Sequence, residues 1–330
     1  MRIRLITVLT AALAALATVP APSVATAGAA DHSHSHGDSI RYASIKGCTQ
    51  KDGNVVPCGD WRLVMHSGKI TKLRDAQSGP GLDAQGNPWQ HAPAPVAVSG
   101  DGQRVAYFTK AGRLAVRTLG GGVTLLPANA LPRVAQADVT LKLSGDGGRL
   151  AAQISGDAPG KTRIFDTATG ARLGFVPVDE TFAGFSGDGD EVLTVVSGEE
   201  SVTDLVVRSD GGEQLRRVTP PQVVASNGPH ALAADGRTVA NLVLGRKPLL
   251  ITYDLETDEP PARKRIKLPA GDLHMIDWTG DTQVTLHLVR NLSRSTGVTI
   301  VQIDTGTGEV TVRDRYTLLK DTFVFAACGG

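Results

Sequence analysis

Short runs of apolar residues, bounded by turns rich in Gly and Asp, recur along most of this chain. Two examples are Val105–Phe108 and Val192–Val196, each of which follows an Asp-Gly pair by a few residues. Such runs, with turn residues at both ends, are typical of short β-strands. Many short strands joined by turns predict an all-β protein, and the regularity of the turns favours a repeat architecture.

A turn motif repeats with a nearly constant period. Three copies, Ser99–Gly102, Ser144–Gly147 and Ser186–Gly189, read Ser-Gly-Asp-Gly, and weaker copies contain Asp235 and Asp281. The shared aspartates, at positions 101, 146, 188, 235 and 281, are spaced by 45, 42, 47 and 46 residues. A period of about 40–50 residues with four short strands in each period is typical of a β-propeller blade.

The two ends of the chain each supply part of one more blade. Residues 321–330 align without gaps with residues 180–189, which include the inner strand of an internal period. Residues 59–65 resemble a turn plus second strand, and residues 69–73 resemble the third strand. We therefore predict a single propeller of about six four-stranded blades over residues 40–330. Its ring would be closed by pairing of N-terminal strands with a C-terminal inner strand.

The Ser-x-Asp-Gly turns and the apolar runs after them, at Ser99–Phe108, Ser144–Ala151 and Ser186–Val196, resemble those of WD-repeat-like and TolB-like propellers. The Trp-Asp and Gly-His dipeptides of true WD repeats do not occur in the chain, so the resemblance is to the broad superfamily. It covers roughly residues 58–330 and implies the propeller fold. Propellers of this kind serve as scaffolds, ligand sensors, lyases, lactonases and protease gates, so the resemblance selects no activity.

The first 29 residues read as a secretion signal. Arg2 and Arg4 precede the apolar run Leu5–Val19, and small residues follow it. Fifteen helical residues rise about 22 Å, which is short of the about 30 Å hydrocarbon core of a bilayer, so we favour cleavage over an uncleaved anchor. We expect a secreted, extracellular or envelope-associated protein with no membrane span after cleavage.

The charge balance of the chain argues against nucleic acid as a partner. Without Arg2 and Arg4, the 34 basic and 33 acidic residues become 32 and 33, a formal net charge of −1. A near-neutral chain lacks the basic footprint of a nucleic-acid binder. The densest basic cluster, Arg263–Arg265 with Lys267, is interpreted as a solvated loop between strands. We expect a monomer that binds a protein, a peptide or a glycan, and no nucleic acid.

Three cysteines in an exported chain predict one disulfide and one remaining thiol. Two pairings stay open. Cys48 and Cys58 would lie directly opposite each other in a hairpin that turns at Asp52-Gly53-Asn54, whereas Cys58 and Cys328 both begin the same turn of the shared blade. We favour the hairpin bond because its local turn chemistry makes it geometrically easier.

The repeat also locates candidate ligand-binding groups around the channel. His230 and His274 fall on the innermost strands of adjacent blades, where both could face the channel. Carboxylates in the loops that lead into inner strands should cluster at one mouth, where they could hold a divalent cation or a cationic ligand. These carboxylates are Asp138, Asp179, Glu180, Asp272 and Asp321. Ordinary channel lining and solvated loops are the competing interpretations.

The start of the mature chain offers one further group. The alternating imidazoles of His32, His34 and His36, within a polar tail at residues 30–39, suit weak binding of Zn, Cu or Ni. We favour a tail that has no specific metal-binding function. We expect no cofactor, except a weakly bound divalent metal ion at the tail or the channel rim.

No catalytic motif stands in the sequence: there is no Gly-x-Ser-x-Gly elbow, His-Glu-x-x-His, P-loop or Cys-x-x-Cys pair. We therefore favour a secreted binding or scaffold propeller. The alternatives are a lactonase- or lyase-type enzyme with a dispersed channel site, and an exported metal-binding protein that uses the His-rich tail.

Overall fold

A computed structural model describes residues 38–89, 92–156, 160–198, 202–257, 259–293 and 295–328 of the chain. Within these ranges the backbone forms six four-stranded antiparallel sheets and one two-stranded ribbon. The fold is therefore a six-bladed β-propeller, as the repeat predicts. The predicted signal segment and the tail residues His32, His34 and His36 lie outside the described residues. No helix in the described ranges is long and apolar enough to cross a bilayer.

The strands follow the chain in simple order. The first five are β1 (Ile40–Thr49), β2 (Val55–Met65), β3 (Ile70–Leu73), β4 (Gly81–Leu82) and β5 (Pro88–Trp89). Blade 2 consists of β6 (Val96–Val98), β7 (Arg104–Phe108), β8 (Leu114–Thr118) and β9 (Val123–Leu125). Blade 3 consists of β10 (Val139–Leu143), β11 (Arg149–Ile154), β12 (Gly160–Asp166) and β13 (Arg172–Val176). Blade 4 consists of β14 (Thr181–Phe185), β15 (Glu191–Ser197), β16 (Thr203–Ser209) and β17 (Gln214–Val218).

The second half of the ring repeats this order. Blade 5 consists of β18 (His230–Leu232), β19 (Thr238–Val243), β20 (Leu249–Asp254) and β21 (Ala262–Arg265). Blade 6 consists of β22 (Asp272–Trp278), β23 (Gln283–Leu292), β24 (Ser295–Asp304) and β25 (Val310–Thr317). The last strand is β26 (Thr322–Ala327), and two short helices, a 3₁₀ turn at Gln136–Asp138 and α1 at Gln222–Ala225, stand in the linkers before blades 3 and 5.

The Ser-x-Asp-Gly turns owe their shape to one repeated set of hydrogen bonds. In blades 2, 3 and 4 the Ser hydroxyl donates to the Asp carboxylate two residues later, at 2.5–2.7 Å. The same hydroxyl oxygen accepts the backbone N–H five residues later, at 2.9–3.0 Å. In blade 5, where Ala233 replaces the Ser, the Asp235 carboxylate accepts the N–H of Thr238 directly, at 2.8 Å. The degenerate turn therefore keeps the shape with a different acceptor.

The glycines of these turns let neighbouring blades come close together. Gly147 has a φ of 72°, and a Cβ there would lie 2.9 Å from Cβ of Ser99 in the preceding blade. Gly102 has a φ of 66°, and a Cβ there would lie 2.5 Å from the carbonyl oxygen of Ile40. Only glycine fits both the backbone conformation and the space.

The N-terminal and C-terminal strands share blade 1, whose strand order is β26-β1-β2-β3. Strand β26 pairs with β1 in antiparallel register, Tyr42 opposite Ala327 and Ser44 opposite Phe325. This confirms the predicted closure but corrects its details. Residues 61–65 and 70–73 belong to the third and fourth strands of the blade, because β1, which the turn motif did not reveal, occupies the second position.

The disulfide joins Cys48 to Cys58, with a Cα–Cα distance of 5.9 Å, and Cys328 is a buried thiol. This confirms the favoured pairing. The two cysteines are diagonal rather than directly opposite, since Cys48 pairs with Val56 and Cys58 pairs with Lys46. Both side chains still lie on the same face of the hairpin, because Val56 and Cys58 are two residues apart on one strand.

Apolar side chains fill the spaces between blades. Trp61, Val98 and Tyr107 pack between blades 1 and 2, and Tyr42 and Val298 pack between blades 1 and 6. On the periphery, residues 262–265 form β21, the outermost strand of blade 5, so most of the basic cluster predicted as a loop is a strand instead. Outermost strands are only half covered, which allows such a charged sequence to form a strand.

Candidate functional site

The innermost strands β6, β10, β14, β18, β22 and β26 surround the central channel. Each runs from a linker at one mouth, here the linker mouth, to a Ser-x-Asp-Gly turn or its equivalent at the other, here the turn mouth. The two mouths therefore differ in chemistry. The turn mouth is built from one repeated motif, and the linker mouth is built from segments of different length and sequence.

An ion pair spans the channel between opposite blades. Lys142 on β10 of blade 3 places Nζ 3.0 Å from Oδ1 of Asp277 on β22 of blade 6. Both residues stand four positions before the shared turn aspartate, Asp146 or Asp281, so they lie at the same level. Oδ2 of Asp277 is buried and has no hydrogen-bond partner among the described residues. Because this pair crosses the channel, a ligand would have to be bound from a mouth.

The linker mouth holds an apolar crevice of about 310 Å³ between blades 1, 2 and 3. The linker crevice, as we name it, is lined by Trp61, residues 92–96, residues 139–141 and residues 323–326. Phe323 and Val324 are exposed at 36% and 38%, which is unusual for large apolar side chains on an inner strand. The Trp61 side chain is 2% exposed, and its Nε1–H has no hydrogen-bond partner in the described part of the chain.

His274 borders this crevice. It is exposed on β22, and its imidazole stacks on the Phe325 ring with centroids 5.6 Å apart and an interplanar angle of 26°. Partial desolvation lowers the pKa of His274, so its ring is neutral at pH 7. A neutral imidazole on an aromatic ring extends the flat surface of the linker mouth towards blade 6.

His230 lies on the innermost strand of blade 5, as predicted, but it is 4% exposed. Its Nε2 is 2.8 Å from the carbonyl oxygen of Val224 in α1, so Nε2 carries the proton. Burial lowers the pKa of this imidazole. The contact ties His230 to the linker before its own strand.

Glu180 is buried inside blade 4 rather than exposed at the rim. Its Oε2 accepts hydrogen bonds from Arg208 Nε at 2.8 Å and Thr194 Oγ1 at 2.7 Å, and its Oε1 contacts Arg208 Nη2. Burial opposes ionisation, but these hydrogen bonds outweigh it and lower the pKa of Glu180. The carboxylate is charged and fully engaged within the blade.

The other predicted rim acids all precede or begin inner strands, yet their surroundings differ. Asp321 accepts a hydrogen bond from Arg62 Nη1 at 2.8 Å, and this bond lowers its pKa. Asp138 is half-buried in the 3₁₀ turn, and Asp179 and Asp272 are exposed. Within the described ranges, no three His, Cys, Asp or Glu side chains come close enough to hold a metal ion.

Sequence reasoning missed the linker crevice and the channel ion pair. The repeat places Lys142 and Asp277 at equivalent positions of opposite blades. Their opposite charges could therefore have predicted an ion pair across the channel. No comparable signal marked Trp61, since it belongs to β2 and reaches the crevice from the third strand of its blade.

No protein-family model and no curated protein matches the chain. Among solved structures, it is similar to a TolB of Agrobacterium tumefaciens, at 14% identity over 86% of this chain and 91% of that one, with a TM-score of 0.46. It is similar to TolB of Acinetobacter baumannii, at 14% identity over 87% of this chain and 65% of that one, with a TM-score of 0.47.

A third similar structure is the β-propeller domain of the Trilobed protease from Pyrococcus furiosus, at 14% identity over 84% of this chain and 82% of that one, with a TM-score of 0.45. At such identities the likeness concerns the fold alone. The six four-stranded sheets of the chain themselves define it as a six-bladed propeller.

Proposed function

We propose that this protein is an exported binding propeller whose linker crevice takes an apolar side chain of an extended peptide or protein segment. The observation that carries the proposal is the crevice itself, about 310 Å³ in volume and lined by Trp61, Pro93, Pro95, Val324 and Phe325. Exposed apolar concavities of this kind are typical of recognition sites, because their burial by a partner stabilises the complex.

The chemistry of the lining favours a peptide over a glycan. Sugars need several polar side chains for their hydroxyl groups, whereas this lining offers little beyond the Thr140 hydroxyl, because the Trp61 indole N–H is buried. A peptide supplies an apolar side chain, which suits this lining. Because the Lys142–Asp277 ion pair crosses the channel, the peptide would bind at the linker mouth and would not pass through the channel.

Export is supported by the signal-like start of the chain and by the Cys48–Cys58 disulfide, since disulfides persist in oxidising compartments. The enzyme alternative is less well supported. His230 is buried against Val224 and Glu180 is held by Arg208, so these two groups are not available to a substrate at the channel.

The test is ligand-observed NMR with capped tripeptides Ac-Gly-Xaa-Gly-NH2, in which Xaa is Leu, Phe, Pro, Ala or Asp. We expect saturation transfer to the Leu, Phe or Pro peptides and none to the Asp peptide. Trp61 fluorescence, followed in a variant whose other two tryptophans are replaced by Phe, should change on binding.

Val324→Lys should abolish binding, because it puts a charge into the apolar crevice. The control is Val312→Lys, which changes a similarly exposed valine on the outermost strand of blade 6. Equal binding by both variants, or no discrimination among the peptides, would contradict the proposal.

A further inference from the structure

A second pocket, on blade 3, has the opposite chemistry to the linker crevice. It has a volume of about 270 Å³ and lies where β12 and β13 meet the linker before the blade. We name it the cationic pocket. Its lining residues are Pro132, Ile154, Gly160, Lys161, Arg163, Arg172 and Phe175.

The strand register brings the three cations together. Lys161 and Arg163 are two residues apart on β12 and therefore share a face. Arg163 pairs with Phe175 on β13, and a register irregularity follows before Arg172. Nζ of Lys161 lies 3.9 Å from the centroid of the Phe175 ring, which is itself 45% exposed. The ring thus forms an apolar wall beside the positive charges.

These charges are not neutralised within the described part of the chain. Nη1 of Arg163 donates to two neutral groups, the carbonyl oxygens of Ala130 at 2.5 Å and Asn129 at 3.4 Å. None of the three cations forms an ion pair with a described acid. Burial and the nearby charge of Arg172 both lower the pKa of Arg163.

Another arginine of the same blade shows the contrast. Arg149, at the turn mouth, lies 2.7 Å from Asp210, 3.4 Å from Asp166 and 3.5 Å from Asp190. At Arg149 one cation is surrounded by three acids, whereas no described acid pairs with the three cations of the cationic pocket. A structural role explains Arg149 well, but among the described residues it does not account for the positive charge of the pocket.

We propose that the cationic pocket binds a tetrahedral dianion, either inorganic phosphate or sulfate or a phosphate group carried as a monoester. Three convergent positive charges favour a dianion over a monovalent ion, and guanidinium groups match the oxygens of phosphate and sulfate. The Phe175 wall would contact the organic part of an ester. This site is separate from the linker crevice, so the two proposals can fail independently.

The test is isothermal titration of the whole protein with sodium phosphate, sodium sulfate and glycerol 2-phosphate, at constant ionic strength in chloride. We expect saturable binding of the dianions above the chloride background. The double variant Lys161→Gln/Arg172→Gln should weaken binding by roughly tenfold or more, since charge-assisted hydrogen bonds are lost. This double variant keeps Arg163, whose hydrogen bond to the Ala130 carbonyl oxygen holds the linker before blade 3 in place.

The matched control is Arg263→Gln/Lys264→Gln, which removes two positive charges from the outermost strand of blade 5. It should leave the affinity within about twofold, because exposed charges act weakly at a distance. An equal loss in both double variants, or no binding beyond chloride, would overturn the proposal. Tighter binding of the ester, lost in Phe175→Ala, would support an ester source, and equal affinities would support the free anion.

Discussion

The two mouths of the channel are built from the same strands and yet use their side chains in different ways. At the turn mouth, Ser99, Ser144 and Ser186 are almost fully buried and make the same hydrogen bonds in three blades. At the linker mouth, the apolar side chains of Phe323 and Val324 are exposed, and the Trp61 N–H has no partner among the described residues.

This difference between the two mouths indicates that the turn mouth stabilises the fold, whereas the linker mouth is available for recognition of a ligand. The Ser hydroxyls at the turn mouth are satisfied within their own turns, so they are not available to a ligand. The linkers of the other mouth are free to differ, because the blades are already held together by their faces and turns. A recognition site is therefore expected at the linker mouth.

The largest expected effect comes from breaking the ring that carries both mouths. Deletion of residues 323–330 removes most of β26, which pairs with β1 and lines the linker crevice. We expect a loss of at least about 5 kcal/mol in the free energy of unfolding, comparable to the whole stability of a domain, because the inner edge of blade 1 is exposed. Urea unfolding followed by circular dichroism measures it.

The control for this deletion ends the chain at Cys328 and removes only the last two residues. It should unfold at nearly the parental midpoint. A cooperative transition of the 323–330 deletion at the parental urea concentration would show that closure through β26 contributes little to stability.

The next effect distinguishes two neighbouring acids that directly precede β14, one buried in blade 4 and one exposed. Glu180→Gln should destabilise the protein by about 3 kcal/mol at pH 7, because it leaves the buried Arg208 guanidinium without its counter-charge. Asp179→Asn, which alters the exposed carboxylate beside it, should change stability by less than about 0.5 kcal/mol. Similar values for the two variants would mean that the Glu180–Arg208 pair has no structural role.

The same pair predicts a pH dependence. Since the pKa of Glu180 is lowered in the folded protein, its contribution is fully present above its unfolded-state pKa of about 4.3. That contribution is lost as the pH falls through the lower folded-state pKa. The stability difference between wild type and Glu180→Gln should therefore shrink below pH 4, and urea unfolding at pH 3 and pH 7 measures it.

The smallest expected effect tests the turn mouth. Ser144→Ala removes a buried hydroxyl that donates to Asp146 and accepts from the Arg149 N–H, so we expect a loss of about 1–2 kcal/mol. The control, Ser155→Ala, removes an exposed hydroxyl near the linker mouth of the same blade and should cost less than about 0.5 kcal/mol. Thermal unfolding of both variants measures these losses of stability. A larger loss of stability for Ser155→Ala than for Ser144→Ala would contradict the proposed difference between the two mouths.

Much of the fold could be predicted from local patterns. The Asp-Gly turns marked the period, and the likeness of residues 321–330 to residues 180–189 revealed where the ring closes. Strand β1 was missed because it carries no such turn, and this displaced residues 61–65 and 70–73 by one strand position. The hairpin disulfide was foreseen, although its diagonal geometry depends on the observed register of β1 and β2.

The candidate site was harder to foresee, because inner strands are irregular. Register shifts occur in β14 between Phe182 and Gly184 and in β22 between Leu273 and Met275. A one-residue irregularity exchanges the faces of the side chains that precede it, so the period alone cannot tell which side chain borders the channel. Glu180 was predicted at the rim but is buried against Arg208, which lies 28 residues later.

The sequence by itself determined the all-β class, the blade period and the closure of the ring, because turns and strands depend on residues that are close together along the chain. The tertiary structure decided which side chains meet at the channel. Lys142 pairs with Asp277 across opposite blades, and the linker crevice combines segments from three blades. Such contacts depend on strand register and on the packing of one blade against the next, which no local pattern contains.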